Sequence, residues 1–295
     1  KEFRAMTEKA YSSFSHDAVV PLSQLGPNEF LMELYHGPTL AFKDVALQLL
    51  GLLYDHLLGK KKKRVTIVGA TSGDTGSAAI EACRGRDAVD IFILHPAGRV
   101  SDVQRRQMTT VLDSNVYNIG IDGDFDDCQA LVKAMFNDLE FRDELGVSAV
   151  NSINWARVMA QIVYYFTTAV SLGSPDRPVS YSVPSGNFGD IYAGYCAFKM
   201  GLPIDQLIVA TNKNDILSRF FNTGEYRKEG VDQTVSPSMD IQVSSNFERQ
   251  LFEIYNNNSD SIVDVMKEFQ NNRSYTLSNS IISVLQEIYS SASVS

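Results

Sequence analysis

Val65-Thr66-Ile67-Val68-Gly69-Ala70-Thr71-Ser72-Gly73-Asp74-Thr75-Gly76-Ser77-Ala78-Ala79 passes from a β-branched apolar strand (Val65 to Val68), through a Gly/Ser/Thr turn, into a helix of small residues reaching Cys83. A strand, a glycine-rich turn and a helix in that order form half of a βαβ unit. Toward the N-terminus, Val45 to Leu58 reads as an apolar-rich helix stopped by Gly59. Toward the C-terminus come the strand Ile91 to Leu94, a helix near Ser101 to Leu112 and the strand Val116 to Ile119. Helices near Phe125 to Leu139 and Trp155 to Val170 follow. After the polar segment Gly173 to Pro178 the pattern restarts with strand Val179 to Val183, helix Ile191 to Met200, strand Leu207 to Thr211 and helix Asp215 to Phe221. The alternation predicts an α/β fold of parallel sheets with helices on both faces, and the polar segment marks a domain crossing.

Ser185-Gly186-Asn187-Phe188-Gly189-Asp190 repeats the same device after its own strand. In α/β sheets the turn from a strand's carboxyl end into a helix exposes unpaired N–H groups, which with the helix dipole bind anions. A plain strand-to-helix turn would explain either loop taken alone. Neither fits a nucleotide motif: Ser77 stands where a P-loop needs lysine, and no Gly-x-Gly-x-x-Gly occurs.

Composition narrows the classes further. The 295 residues are 44% hydrophobic and 21% charged, enough for one large core or two moderate ones, with two domains favoured. With 26 Lys and Arg against 35 Asp and Glu, the net charge of -9 argues against a nucleic-acid surface and requires any anion site to be made locally. Cys83, Cys128 and Cys196 are too few and too scattered for a disulfide framework or a zinc cluster, so no metal and a reducing, cytoplasmic setting are expected. The longest apolar stretch, near Val45 to Leu58, is broken by Gln48, Asp55 and His56, and Lys1-Glu2-Phe3-Arg4 does not open a signal peptide, so no membrane partner is expected. Lys60-Lys61-Lys62-Lys63-Arg64 resembles a localisation run but reads better as a solvated connector between a helix and a buried strand.

Lys43, in His36-Gly37-Pro38-Thr39-Leu40-Ala41-Phe42-Lys43-Asp44, adds a covalent group. Desolvation by neighbours such as Leu40 and Phe42 would disfavour its ammonium form, and such a lysine can form a Schiff base with an aldehyde cofactor. A surface lysine ahead of a helix is the bland alternative. Pyridoxal 5'-phosphate links the motifs: its aldehyde suits Lys43, its phosphate one loop, and an amino-acid substrate's carboxylate the other.

Together with Asn151-Ser152-Ile153-Asn154-Trp155-Ala156-Arg157, these motifs make the chain similar, from about Glu29 to about Gln270, to the threonine synthase family, longer bacterial and fungal branch, of fold type II pyridoxal-phosphate enzymes. The resemblance implies two tryptophan synthase β-like domains with the cofactor in the cleft between them: residues 1–45 and 172–295 as the large cofactor-binding domain and 46–171 as the small substrate-binding domain. It makes Lys43 the Schiff-base lysine and proton shuttle. Gly186, Asn187, Phe188, Gly189 and Asp190 become the phosphate-binding turn, with the Asp190 carboxylate expected to point away from the phosphate. Ser72, Thr75 and Gly76 are candidates for the substrate carboxylate, while Asp74 is expected to be a cap or turn residue. Asn154 and Arg157, three apart on a helix face and joined by Ser152, are candidates for the substrate's phosphate. A surface arginine is the bland reading, and Arg99, Arg105 and Arg106 are rivals. His36, before Gly37-Pro38, and His95, before Pro96, are expected to orient turns. Trp155, Tyr164, Tyr165 and Phe166 are expected in the core.

The implied reaction converts O-phospho-L-homoserine and water to L-threonine and phosphate, the last step of threonine biosynthesis, by a monomer or homodimer. A phospholyase releasing a 2-keto acid and a non-catalytic binding protein are the alternatives. Family members also set a Ser or Thr hydroxyl against the pyridine nitrogen from a Pro-His-Thr or Pro-His-Ser sequence near the C-terminus. None follows Ser185, so the natural protein is expected to extend beyond Ser295, and Lys1 is not a natural initiator.

Overall fold

A computed structural model describes residues 1–71, 73–149 and 152–294. Contacts divide the chain into two compact units, Lys1–Ala160 and Gln161–Ser295. The division lies inside a helix, and residues 1–45 belong to the first unit. In the first helix, α1 (Glu2–Tyr11), Ala10 is buried against Leu49 and Leu52.

In the first unit a hairpin, β1 (Leu22–Gly26) and β2 (Glu29–Met32), precedes α2 (Asp44–Lys61). Then come β3 (Val65–Ala70), α3 (Asp74–Cys83), β4 (Val89–Pro96), α4 (Asp102–Thr109), β5 (Val116–Ile121), α5 (Phe125–Asn137), α6 (Leu139–Glu144), β6 (Val147–Ser148) and α7 (Trp155–Ser171), which crosses the division. The sheet runs β5-β4-β3-β6, all parallel, with Ile67 opposite Ile91 and Ile91 opposite Val116. Ile67, Ile80, Ile91 and Met108, each at most 1% exposed, centre its core with Leu47 of α2. Helices α2 and α3 approach closely because Gly51 lacks a side chain: a Cβ there would lie 2.1 Å from the Ala82 carbonyl oxygen.

Helix α2 does not stop at Gly59. It continues to Lys61, and Lys62 adopts the left-handed conformation (φ 51°) that lets its N–H reach the Gly59 carbonyl at 3.1 Å while the Lys63 N–H reaches Leu58. The basic run is therefore a helix C-terminus, where Lys60 and Lys61 complement the dipole. Lys60 also meets Glu2 at 3.1 Å, and Arg64 meets Asp90 at 2.7 Å.

The second unit holds the sheet β11-β8-β7, again parallel, from β7 (Val179–Pro184), β8 (Ile204–Thr211) and β11 (Tyr289–Ser293). Helices α8 (Gly189–Lys199) and α9 (Ile216–Thr223) follow its first two strands. The pair β9 (Glu225–Arg227) and β10 (Ser274–Thr276) is antiparallel, and α10 (Phe247–Ile254), α11 (Ser259–Asn272) and α12 (Asn279–Gln286) complete the unit. Its core is aromatic. Phe188 packs edge-on to Phe247 with ring centres 5.0 Å apart, and Phe220 does the same at 4.9 Å, the arrangement that ring quadrupoles favour. No described helix is long and apolar enough to cross a membrane.

Candidate active site

The first unit builds one cluster around Lys43. The turn before α2 is closed by Asp44, fully buried, whose carboxylate accepts the Thr39 N–H at 2.7 Å and the Thr39 hydroxyl at 2.8 Å. That turn sets Lys43 at the N-cap of α2, 9% exposed. Leu40, 68% exposed, does not cover it as expected. Phe42 does, with Nζ 5.4 Å from the ring centre. Burial lowers the Lys43 pKa, Asp74 opposes this, and Arg157 adds to the lowering.

Asp74 corrects the sequence reading. It is the first residue of α3, the N-cap being Gly73, and its Oδ2 lies 2.5 Å from Lys43 Nζ. Capping falls to the buried Thr71, whose hydroxyl accepts the N–H groups of Gly73 at 3.0 Å and Gly76 at 2.9 Å. Gly76 thus spends its N–H inside the turn, and its contribution is a missing side chain, since a Cβ would lie 2.5 Å from Thr71 Cγ2 and 2.7 Å from Met108 Sδ. The Thr75 hydroxyl donates to Asp74 Oδ1 at 3.4 Å. Ser72 and Asn151 lie outside the described residues.

Arg157 is 4% exposed, so the bland reading of a surface arginine fails. Among its rivals Arg99 and Arg106 are exposed, and Arg105 is partly buried beside Asp102 at 3.3 Å. Asn154 does not sit on the helix face as expected: it precedes α7, accepts the Ala156 N–H at 3.0 Å as a capping residue, and donates to the Tyr54 hydroxyl at 3.3 Å. Trp155, 48% exposed, and Phe166, partly buried, fall short of the core positions expected for them, while Tyr164 and Tyr165 occupy the core. His36 bonds Glu33 at 2.7 Å and Ser15 at 3.1 Å, a turn-bracing role.

The second unit builds the other element, residues 185–190. The Gly186 carbonyl accepts from the Ser244 hydroxyl at 2.7 Å, and the Asn187 carbonyl accepts the Asn246 N–H at 3.0 Å and its side-chain amide at 3.2 Å. Ser245 donates to Asn187 Oδ1 at 3.0 Å. With the carbonyls tied to residues 244–246, the N–H groups of Gly186 to Gly189 have no protein acceptor among the described residues. Phe188 holds the left-handed conformation (φ 63°), unusual for a bulky residue, that leads into the N-terminus of α8. Consecutive N–H groups turned one way at a helix N-terminus form an anion nest. The Asp190 carboxylate points into the protein, receiving the Tyr164 hydroxyl in a very short bond and the Tyr165 hydroxyl at 3.0 Å. Ser244, Ser245 and Asn246 were missed in the sequence, where they read only as a polar run before a helix.

A family model described as pyridoxal-phosphate dependent enzyme matches residues 18–274. The chain belongs to this family. Among its relatives, the threonine synthase of Pseudomonas aeruginosa is 60% identical over 269 residues, covering 91% of this chain and 57% of the relative. Threonine synthase-like 2 of Homo sapiens is 39% identical over 300 residues, covering 100% of this chain and 62% of the relative. The crystal structure of pyridoxal-phosphate-bound threonine synthase from Brucella melitensis, 59% identical, superposes with a TM-score of 0.96 over 99% of this chain and 63% of that one. The chain thus spans roughly three-fifths of the length of these relatives. As in other pyridoxal-phosphate dependent enzymes of fold type II, the cofactor is pyridoxal 5'-phosphate. Each unit carries a feature that fits it: in the first, Lys43 is a buried amine whose charged form is disfavoured, and in the second, the 186–189 turn leads with its N–H groups into the N-terminus of α8.

Proposed function

We propose that the protein is a threonine synthase, converting O-phospho-L-homoserine and water to L-threonine and phosphate. The observation that carries this reading is Arg157, buried and near enough to Lys43 to disfavour its ammonium form. A planar guanidinium matches the oxygens of a phosphate, which suits a substrate that carries its own phosphate group. The 60% identity to a threonine synthase supports the same substrate.

When bound, the cofactor withdraws electrons from the substrate's α carbon. Lys43 holds the cofactor until the substrate arrives, then shuttles protons: it takes one from the α carbon, gives it up, takes one from the β carbon, and returns protons to the γ and α carbons as threonine forms. Arg157 and Asn154, with Ser152, bind the phosphate, which leaves the γ carbon and stays as the base that activates water for addition at the β carbon. Thr75, with Ser72, orients the carboxylate, and Gly76 keeps the turn tight against Thr71. The turn of Gly186, Asn187, Phe188, Gly189 and Asp190 holds the cofactor phosphate. The three free thiols, Cys83, Cys128 and Cys196, suit a cytoplasmic enzyme.

Incubation of the purified protein with pyridoxal phosphate and O-phosphohomoserine tests the reading. Equal yields of threonine and phosphate are expected. Release of a 2-keto acid would replace it with the phospholyase reading, and failure to bind cofactor would leave a binding protein.

A further inference from the structure

We propose that Asp74 is the counter-ion that resists loss of the proton from the free Lys43 amine, so that this carboxylate shifts the pH at which the amine can attack a carbonyl. The inference rests on Lys43 being the residue that captures the cofactor. Its basis is the contact itself: Nζ and Oδ2 lie 2.5 Å apart, with side chains only 10% and 17% exposed, so little water screens the pair. Both groups occupy helix N-termini, Lys43 at α2 and Asp74 at α3. The dipole there favours the anion and disfavours the cation. Among the described residues, the Phe42 ring centre lies 5.4 Å from Nζ and Arg157 acts on the amine through its charge, and burial and Arg157 both favour the neutral amine. Asp74 is therefore the charge that opposes them. Capture of an aldehyde begins when the ammonium gives one proton to solvent. The nitrogen lone pair then bonds the aldehyde carbon, and the carbonyl oxygen leaves as water.

This makes Asp74 a positioning residue whose effect depends on pH, which a merely structural residue would not show. The test uses protein freed of cofactor, mixed with pyridoxal phosphate from pH 6 to pH 9, with the absorbance rise followed and the product trapped by borohydride for peptide mapping. Asp74→Asn is expected to capture cofactor about tenfold or more faster than wild type near pH 6.5, since an opposite charge this close commonly moves a titration by one unit or more. The two rates converge at high pH, where the amine is neutral in both. Asp74→Glu should restore the wild-type profile. Should Asp74→Asn fail to fold, Asp74→Ser removes the charge with a smaller side chain and carries the same expectation. Equal pH profiles, or a change in rate by the same factor at every pH, would overturn the inference. A borohydride label on another lysine would instead overturn the assignment of Lys43.

Discussion

The Tyr165 hydroxyl, from the middle of α7, reaches both the carboxylate and the carbonyl of Asp190, each at 3.0 Å, and so ties α7 to the first turn of α8. Tyr164 adds its own hydroxyl to the same carboxylate oxygen. Two neighbouring tyrosines thus keep an acidic side chain off a turn that presents N–H donors. An anion at that turn then meets the peptide dipoles without facing the carboxylate.

Burial pushes the Asp190 carboxyl from its ordinary 3.8 up to about 6, although the two hydroxyls pull it down. A folded-state value above the unfolded one gives stability that is complete below about pH 4 and is lost as pH rises through about 6. Asp190→Asn should not show that loss. The stability difference between variant and wild type should therefore shift in the variant's favour between pH 4.5 and pH 7.5, by about 2 kcal/mol at about 1.4 kcal/mol per unit. Urea unfolding at the two pH values checks this, and a constant difference would show that the carboxyl does not titrate in this window.

Lys43 should carry the cofactor. The protein with pyridoxal phosphate is expected to be yellow and to lose that absorbance on borohydride reduction, with the label on the peptide containing Lys43. Lys43→Ala should abolish turnover, while circular dichroism shows the fold retained.

Arg157→Ala should lower kcat/KM for O-phosphohomoserine. Removing one partner of a buried charge pair costs about 2 to 5 kcal/mol, which at about 1.4 kcal/mol per tenfold is roughly thirtyfold to a few thousandfold. Cofactor affinity, measured by titration, should be unchanged. An unaltered kcat/KM would move the role to Arg105, partly buried on α4.

Gly76→Ala should destabilise the protein by about 1–3 kcal/mol, the usual cost of overpacking, because the new methyl would meet Thr71 Cγ2 at 2.5 Å and Met108 Sδ at 2.7 Å. Thermal unfolding measures this. A variant as stable as wild type would mean that Met108, the flexible partner, moves aside freely.

Much of the architecture could be read along the chain because its signals are local. Alternation of β-branched strands with helices, punctuated by glycine-rich turns, needs only a few residues to be recognised, and the parallel sheets follow from it. Element ends were less legible. Helix α2 outran Gly59 because a lysine, not a glycine, took the left-handed cap. Lys43, the two turns and Arg157 stood out through residue type and spacing, whereas the support of the 186–189 turn by Ser244, Ser245 and Asn246 did not, since those residues lie 58 and 59 positions away from their partners.

The sequence by itself therefore determined the order of elements, the amine lysine and the two glycine turns, all of which depend on backbone preferences and side-chain chemistry within a few residues. Only the tertiary structure decided what each charged group faces. Asp74 looks like a cap beside its glycines, yet it meets Lys43, 31 residues away. The close approach of α2 and α3 at Gly51 brings these segments together. Arg157 and Trp155 are near neighbours on one helix, but Arg157 is buried and Trp155 exposed. Charge pairing and burial are set by which helix faces pack together, and packing joins residues whose separation along the chain carries no local signal.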